Sequence, residues 1–200
     1  PGNPLGVQVH GQNPILQLPQ CTITSNPVGG SPGTYGVLNC IAIQNGAISA
    51  VVWFYPPPGG QGGLLSFQNA QYPNTPSGVV PWLYVGTDGK LYAGDWSGGF
   101  FQVVTPSALS PGWHIAVVED YYSSGTYYIV LYLDGQYVGQ VSTGNLLQMF
   151  GGIHNFPYDD IGTGYTGDWP ATPGGWFFFN GYIALVALYP TVLNSTQVAS

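Results

Sequence analysis

Only 4% of the 200 residues are Asp, Glu, Lys or Arg, whereas soluble domains average about 25% charged residues. Eight acids and one basic side chain, Lys90, give a net charge of −7. Because nucleic acids and anionic lipid surfaces attract proteins through several Lys or Arg side chains, this composition excludes both as partners. The content of 44% hydrophobic residues predicts a chain that can bury a core and fold.

The first 35 residues read as an extension ahead of the main domain. Short alternations of apolar residues among Gly, Pro and Gln predict one or two isolated extended segments. Such a segment pairs either with a sheet edge of its own chain or with an edge of a neighbouring copy. The residues that we expect to make this contact are Val7, Val9, Ile15, Leu16 and Leu18.

The two cysteines, Cys21 and Cys40, enclose a loop rich in Gly, Pro and Ser. Two cysteines outside any metal-type cluster favour a disulfide over a zinc site. A bridge across a loop of this length stabilises a fold by roughly 3 kcal/mol. It also predicts an oxidising, extracellular compartment, so we expect a secreted or surface-displayed protein.

Residues 36–200 form one predicted domain built from short β-branched and aromatic runs between turn residues. No segment shows a sustained helical period, and the longest apolar runs, such as 181–189, are far shorter than the ~20 residues of a membrane span. The pattern predicts an all-β antiparallel sandwich or jelly roll without membrane insertion. The predicted strands are 36–43, 48–55, 63–68, 81–86, 90–94, 100–104, 113–119, 126–133, 136–142 and 178–190.

Asp-Gly pairs at 88–89 and 134–135 separate neighbouring runs. Asp-Gly between apolar runs is a strong hairpin signal, because both central residues of a tight two-residue turn take positive φ angles. A third turn signal is Ser-Ser-Gly at 123–125. Asp134 is therefore interpreted as a turn residue and not as a catalytic acid.

The stretch 112–140 resembles the laminin G-like, concanavalin A-like lectin family of jelly rolls. The similarity lies in Trp113-His114, in the turn that follows, and in the hairpin "LYLDGQYVG". It extends upstream to 47–57 and 83–93 and downstream to 161–164 and 179–198. The resemblance implies the fold and a short helical turn after the last strand, but not one function, because this fold hosts lectins, glycan hydrolases and structural domains.

Metal binding has little support in the sequence. Ala184-Leu185 stands where many relatives carry an acidic residue tied to calcium, so the resemblance does not extend to that site. Asp159 and Asp160 with nearby carbonyls are weak calcium candidates, and the favoured interpretation is that the pair shapes a turn and caps exposed amides. We therefore expect no cofactor.

Glycoside hydrolysis is also disfavoured. The reaction uses two carboxyl groups about 5–9 Å apart. The single glutamate, Glu119, precedes Asp120 directly, and adjacent strand residues point to opposite faces. His114 belongs to a strand motif and is expected to be packed or hydrogen-bonded. We expect no enzyme activity.

Two Gly-Asp-Trp loops, at 94–96 and 167–169, suggest a carbohydrate-binding platform. A tryptophan face beside a carboxylate acceptor suits a sugar ring, although tryptophans also commonly cover the ends of a β-sandwich. The residues of this predicted platform are Asp95, Trp96, Tyr165, Asp168, Trp169 and Trp176.

A structural role ranks above carbohydrate binding on sequence alone. Edge strands normally carry charges that prevent pairing with another chain, and this chain has almost none. The sequence therefore favours a self-assembling subunit of a surface filament or coat, linked to copies of itself through residues 1–20. A glycan-binding or adhesin module is the alternative.

Asn194-Ser195-Thr196 is a predicted N-glycosylation acceptor.

Overall fold

The structure is a computed structural model that describes residues 15–152 and 154–199. The elements in chain order are β1 Leu16–Gln17, β2 Gln20–Ile23, β3 Gly33–Gly36, α1 Val37–Asn45, β4 Ala47–Tyr55, β5 Gly62–Gln68, β6 Val79–Val85, β7 Leu91–Trp96, β8 Phe100–Val104, β9 His114–Ser123, β10 Thr126–Leu133, β11 Gln136–Thr143, a 3₁₀ turn Gln148–Phe150, β12 Tyr158–Ile161, β13 Tyr182–Tyr189 and α2 Ser195–Ala199.

Two antiparallel sheets form the predicted sandwich. One has six strands in the order β1-β12-β5-β6-β7-β8, and the other has five in the order β11-β10-β9-β4-β13. The inward residues of both sheets meet in one apolar core that includes Phe54, Phe67, Trp82 and Leu131. The prediction of an all-β antiparallel jelly-roll sandwich is confirmed. Among the described residues, no helix has the length and apolar character needed to cross a membrane.

The predicted strand at 36–43 is wrong, because α1 occupies this part of the chain. Gly36 and Gly46 bound the helix, and Gly46 ends it in the left-handed conformation with φ 67°. At the other end, Asp159 Oδ2 accepts a 2.7 Å hydrogen bond from the Leu38 amide. A carboxyl oxygen at a helix N-terminus satisfies an otherwise unpaired amide. Apolar composition alone does not distinguish such a short helix from a strand.

The predicted disulfide joins Cys21 on β2 to Cys40 on α1. It ties the small β2-β3 hairpin to the helix, and Ile23, Tyr35 and Ile43 pack around it in a second apolar cluster. The disulfide is consistent with an oxidising environment.

The Asp134-Gly135 turn has the predicted geometry, with φ angles of 51° and 74°. The Asp134 carboxylate does more than turn the chain: Oδ1 accepts from the Ile115 amide, and Oδ2 lies 2.8 Å from His114 Nδ1. His114 Nε2 faces the carbonyl oxygen of Ser110. The expectation that His114 is packed and hydrogen-bonded is confirmed.

The other two turn signals also join paired strands. Ser124 and Gly125 have φ angles of 50° and 84° between β9 and β10. At 88–89 only Gly89 has a positive φ, of 76°. The Asp88 side chain instead accepts from the Lys90 amide and the Tyr92 hydroxyl within a longer turn. The prediction of two positive φ angles there is wrong, because the turn contains more than two residues.

Part of the N-terminal extension pairs within its own chain. Leu16 and Gln17 lie opposite Ile161 and Asp160 of β12, and the Leu18 amide donates to the Asp159 carbonyl. Leu16 and Leu18 are therefore occupied by contacts within the chain in this conformation. Val7 and Val9 lie outside the described residues, and Ile15 is the first residue that the structure describes.

Candidate functional site

A cavity of about 340 Å³ lies where the two Gly-Asp-Trp loops converge. The loops are more than 70 residues apart in sequence, and the sandwich brings Trp96, Asp168 and Trp169 to one opening. Segments from elsewhere in the chain complete the wall. The lining residues are Pro76, Ser77, Gly78, Val79, Trp96, Phe100, Gln148, His154, Phe156, Tyr165, Gly167, Asp168 and Trp169.

One wall is the hairpin of β7 and β8. Trp96 and Phe100 are opposed in the strand register, so their side chains lie on the same face of the hairpin. Gly98, with φ 73°, makes the tight turn between them. The Ser97 hydroxyl donates to the Leu146 carbonyl and fixes the hairpin against the segment that carries Gln148. Phe100 is 45% exposed and is the prominent apolar surface of this wall.

A second wall is the loop that follows Gly164. The amide and the hydroxyl of Thr166 both donate to the Gly175 carbonyl, which closes the base of the loop. The Trp169 amide donates to the Thr166 carbonyl. These bonds leave Asp168 exposed at the opening, while Trp169 is only 5% exposed and packs against Phe100 with ring centroids 5.0 Å apart.

The predicted platform of two exposed tryptophans therefore requires correction. Trp169 is largely buried beneath Phe100, so Phe100 supplies the accessible aromatic face. Trp176 is half-buried and does not line the cavity. It contacts Tyr165 edge-on at 5.7 Å and therefore supports the wall from behind.

Asp95 is not a ligand-binding acceptor as predicted. Its carboxyl group is fully buried and accepts 2.6 Å hydrogen bonds from the amides of Trp96 and Met149. Burial raises its pKa to about 7. Asp95 thus holds the β7 end and the 3₁₀ turn together behind the cavity, which is a positioning role.

Sequence reasoning missed the lining residues outside the predicted platform, among them Phe100, Gln148, His154 and Phe156. Gln148 is buried, and its Oε1 atom has no hydrogen-bond partner among the described residues. These residues come from separate segments with no shared spacing, so no sequence pattern identified them. Phe100 is the exception. It directly follows the Gly98-Gly99 turn, and predicting a hairpin there places it next to Trp96.

Asp159 and Asp160 lie in a strand and not in a turn, and they do not form an open calcium site, but Asp159 does cap an amide as expected. Both are buried on β12, where Asp159 caps α1 and Asp160 accepts from the Gln68 amide. Burial raises the pKa of Asp159 well above its ordinary value and that of Asp160 to about 6. Within 15–152 and 154–199, no three His, Cys, Asp or Glu side chains come together as a metal-binding group.

The other neighbouring pair of acids also divides between two faces, as predicted. Glu119 accepts from the Leu193 amide beneath the C-terminal segment, whereas Asp120 accepts from the Trp82 indole inside the core. Burial raises the pKa of both groups. They do not form the paired carboxylates of a glycoside hydrolase.

A second, larger groove of about 700 Å³ lies on the outer face of the five-stranded sheet. Trp53 and Trp113 meet there edge-on at 5.4 Å, and Trp113 is 51% exposed. Its remaining wall is mostly aliphatic, with Asp134 at one end. It shares no lining residue with the cavity between the Gly-Asp-Trp loops.

Residues 29–199 match the family described as the concanavalin A-like lectin/glucanases superfamily. The chain belongs to this family. The resemblance found in the sequence is thereby confirmed, including the short helix after the last strand, which is α2. A comparison with curated proteins gave no match.

Solved structures share the fold at low sequence identity. The CBM40 module of the Ruminococcus gnavus IT-sialidase bound to α2,3 sialyllactose is 16% identical, with a TM-score of 0.57 over 92% of this chain and 97% of that chain. Its complex with α2,6 sialyllactose matches at 15% identity, a TM-score of 0.55 and coverages of 92% and 97%. A NanB sialidase variant from Streptococcus pneumoniae is 12% identical, with a TM-score of 0.61 over 92% of this chain and 27% of that one.

Proposed function

We propose that this domain binds carbohydrate, without catalysis, in the cavity between the two Gly-Asp-Trp loops. The observation that carries the proposal is the convergence of Trp96, Phe100 and Asp168 on one opening of about 340 Å³. Ligand pockets are typically about 300–1,000 Å³, so this volume suits one or two sugar rings. Aromatic faces pack against the apolar face of a sugar, and carboxylate and amide oxygens accept its hydroxyl protons.

The comparisons support this function better than the filament subunit that the sequence ranks first. The CBM40 module is a binding module crystallised with sialyllactose, and it has nearly the same extent as this chain. Among the lining residues, Asp168 is the one carboxylate. Hydrolysis with a pair of carboxyl groups therefore has no second acid in the cavity. The disulfide further supports a secreted or surface-displayed location.

The test measures how strongly a glycan array retains three proteins: the unmodified domain and two variants. Phe100→Ala removes the exposed aromatic face of the cavity, and we expect at least a tenfold loss of affinity, equal to about 1.4 kcal/mol. Trp113→Ala removes an equally exposed aromatic side chain from the outer groove and is the matched control. Equal retention of all three proteins would contradict the proposed site, and retention of no glycan would contradict the function.

Trp169→Ala is not a suitable test, although the sequence singles out this residue. Trp169 is buried, and truncating a buried aromatic costs about 3–5 kcal/mol of folding stability. Loss of binding in that variant would therefore not distinguish a lost contact from a lost fold.

Self-association by strand addition is the second candidate. Among the described strands, β13 lies at the edge of the five-stranded sheet, and its eight residues carry no charge. A groove of about 250 Å³ lined by Leu16, Leu18 and Ile161 runs beside residues 183–186 of this edge. An uncharged open edge is a template for another strand.

Deleting residues 1–14 tests this second candidate, because Leu16–Leu18 already pair with β12. We expect polymers of the full chain in negative-stain images and monomers after the deletion. A monodisperse full chain, or unimpaired assembly of the shortened one, would exclude donor-strand assembly.

A glycan on Asn194, whose exposed side chain caps α2 by accepting from the Gln197 amide, is tested in the same material by mass spectrometry.

A further inference from the structure

The charge of the cavity narrows the class of glycan that it accepts. Of its thirteen lining residues, Asp168 alone carries a formal charge, and it is exposed at the opening. His154 is the one other titratable side chain in the lining apart from Tyr165. A carboxylate or sulfate on a sugar would therefore meet a like charge without a fixed cation to pair with it.

The rest of the chain supplies few positive charges that could offset this repulsion. It contains no Arg, and its single Lys, Lys90, belongs to the turn between β6 and β7 and does not line the cavity. Proteins hold carboxylates and sulfates with guanidinium or ammonium groups, because these give charge-assisted hydrogen bonds. The means of binding an anionic sugar are therefore missing from the described lining.

Two polar groups of the cavity, the Gln148 side-chain oxygen and the Asp168 carboxylate, only accept hydrogen bonds, whereas the hydroxyls of Ser77 and Tyr165 both accept and donate. Gln148 is 4% exposed, and its Oε1 atom lacks a partner among the described residues. A buried acceptor without a partner carries a desolvation cost, which a ligand hydroxyl would remove once the Gln148 side chain turns this atom into the cavity. The Asp168 carboxylate likewise accepts and does not donate. Both groups favour a ligand that supplies O–H donors.

Asp95 adds a second source of negative potential behind the cavity. Its carboxyl group lies against the backbone of Trp96 and Met149, directly beside the lining residue Gln148. Burial raises the pKa of this group, and it adds negative charge behind the cavity where it ionises. That charge opposes an anionic ligand and leaves an uncharged one unaffected.

We infer that the cavity binds uncharged, hydroxyl-rich glycans and rejects sugars that bear a carboxylate or a sulfate. This inference rests on the proposed carbohydrate-binding function and names its ligand class. The specificity of this domain would then differ from that of the CBM40 module, which has the same fold and binds sialyllactose.

The experiment uses matched glycans that differ by one acidic sugar, such as lactose against sialyllactose and glucose-terminated against glucuronate-terminated oligosaccharides. The array is probed at pH 8 and at low salt, where charge effects are largest. We expect each retained neutral glycan to bind at least tenfold more tightly than its acidic counterpart. Preferential retention of acidic glycans would overturn the inference and leave the proposed function intact. Retention of no glycan would overturn both.

Two variants test the physical cause. Asp168→Asn keeps an acceptor oxygen but removes the charge, and we expect the preference for neutral glycans to shrink at least threefold. Lys90→Gln is the matched control, because it changes a charge outside the cavity and should leave neutral-glycan affinity unchanged. A preference that Asp168→Asn leaves unaltered, or neutral binding that is lost in Lys90→Gln, would contradict the assignment.

Discussion

Asp134 combines two roles within one residue. Its backbone adopts the positive φ of the hairpin, and its carboxylate binds the Ile115 amide and His114. The sequence predicts the first role from the Asp-Gly pair, which is a local signal. The second role joins side chains 20 residues apart and depends on strand register. Neither role involves the cavity between the two Gly-Asp-Trp loops, since Asp134 does not line it.

We expect Asp134→Ala to lower the free energy of unfolding by about 1–3 kcal/mol, because it loses the acceptor and places Ala in the left-handed region. Asp134→Asn is the control, since Asn tolerates that conformation and keeps an acceptor oxygen, and its loss should be smaller. Urea unfolding measures both variants, and glycan retention should not change. Equal losses for Ala and Asn would contradict this expectation, because they would show that an acceptor oxygen and tolerance of the left-handed conformation do not restore stability.

Among the elements, α1 depends on a hydrogen bond to a residue that lies far outside the helix in sequence. The Asp159 carboxylate that accepts the Leu38 amide lies 121 residues away. Gly36 permits this approach, because a Cβ atom at that position would lie 2.2 Å from the carboxylate. The conformation of Gly36 is extended, with φ −69°, so space and not backbone freedom requires glycine there.

Gly36→Ala should therefore destabilise the protein by about 2 kcal/mol through displacement of the Asp159 cap. Gly144→Ala is a matched control, because its Cβ would meet open space and its φ is not restricted to glycine; we expect a change within about 0.5 kcal/mol. Thermal unfolding followed by circular dichroism measures both. A Gly36→Ala protein as stable as the control would rule out the close contact.

Features that depend on neighbouring residues are predictable from the sequence, whereas features that depend on contacts between distant residues are not. This holds for the other elements and for the candidate site. The hairpins at 123–125 and 134–135 follow from turn residues within a few positions, and the strands on both sides were predicted accordingly. The Gly-Asp-Trp repeats indicated the region of the cavity. They did not indicate that Trp169 is covered by Phe100 or that Asp95 points inward, because those facts depend on how two sheets and a loop pack together.

For the whole molecule, the unusual feature is that most of its few acids are buried. The buried acids are Asp95, Glu119, Asp120, Asp159 and Asp160. In each case desolvation by burial raises the pKa, to about 7 for Asp95 and about 6 for Asp160. A raised pKa means that the folded state binds the proton more tightly than the unfolded state does.

Stability should therefore be greatest near pH 4 and fall as the pH rises through 6 to 8, which is the reverse of the behaviour of carboxylates in salt bridges. The contribution is complete below the unfolded-state pKa of about 4 and is lost above the folded-state values. Melting temperature measured from pH 4 to pH 8 checks this expectation. A melting temperature that rises steadily over the range would contradict it.

Asp120→Asn isolates one contributor to that pH dependence. The variant retains an oxygen acceptor for the Trp82 indole and removes a carboxyl group whose pKa is raised by burial and by the nearby Asp95. We expect the fall in melting temperature between pH 5 and pH 8 to become smaller, with equal or greater stability at pH 8. A slope identical to that of the unmodified protein would exclude Asp120 as a contributor.

The most direct test of the proposed function is a crystal structure of the domain with the neutral glycan that the array retains best. We predict a sugar ring against Phe100 in the cavity between the two Gly-Asp-Trp loops, with hydroxyl groups donating to the exposed Asp168 carboxylate. A sugar bound instead in the outer groove beside Trp53 and Trp113, with the cavity empty, would contradict the account.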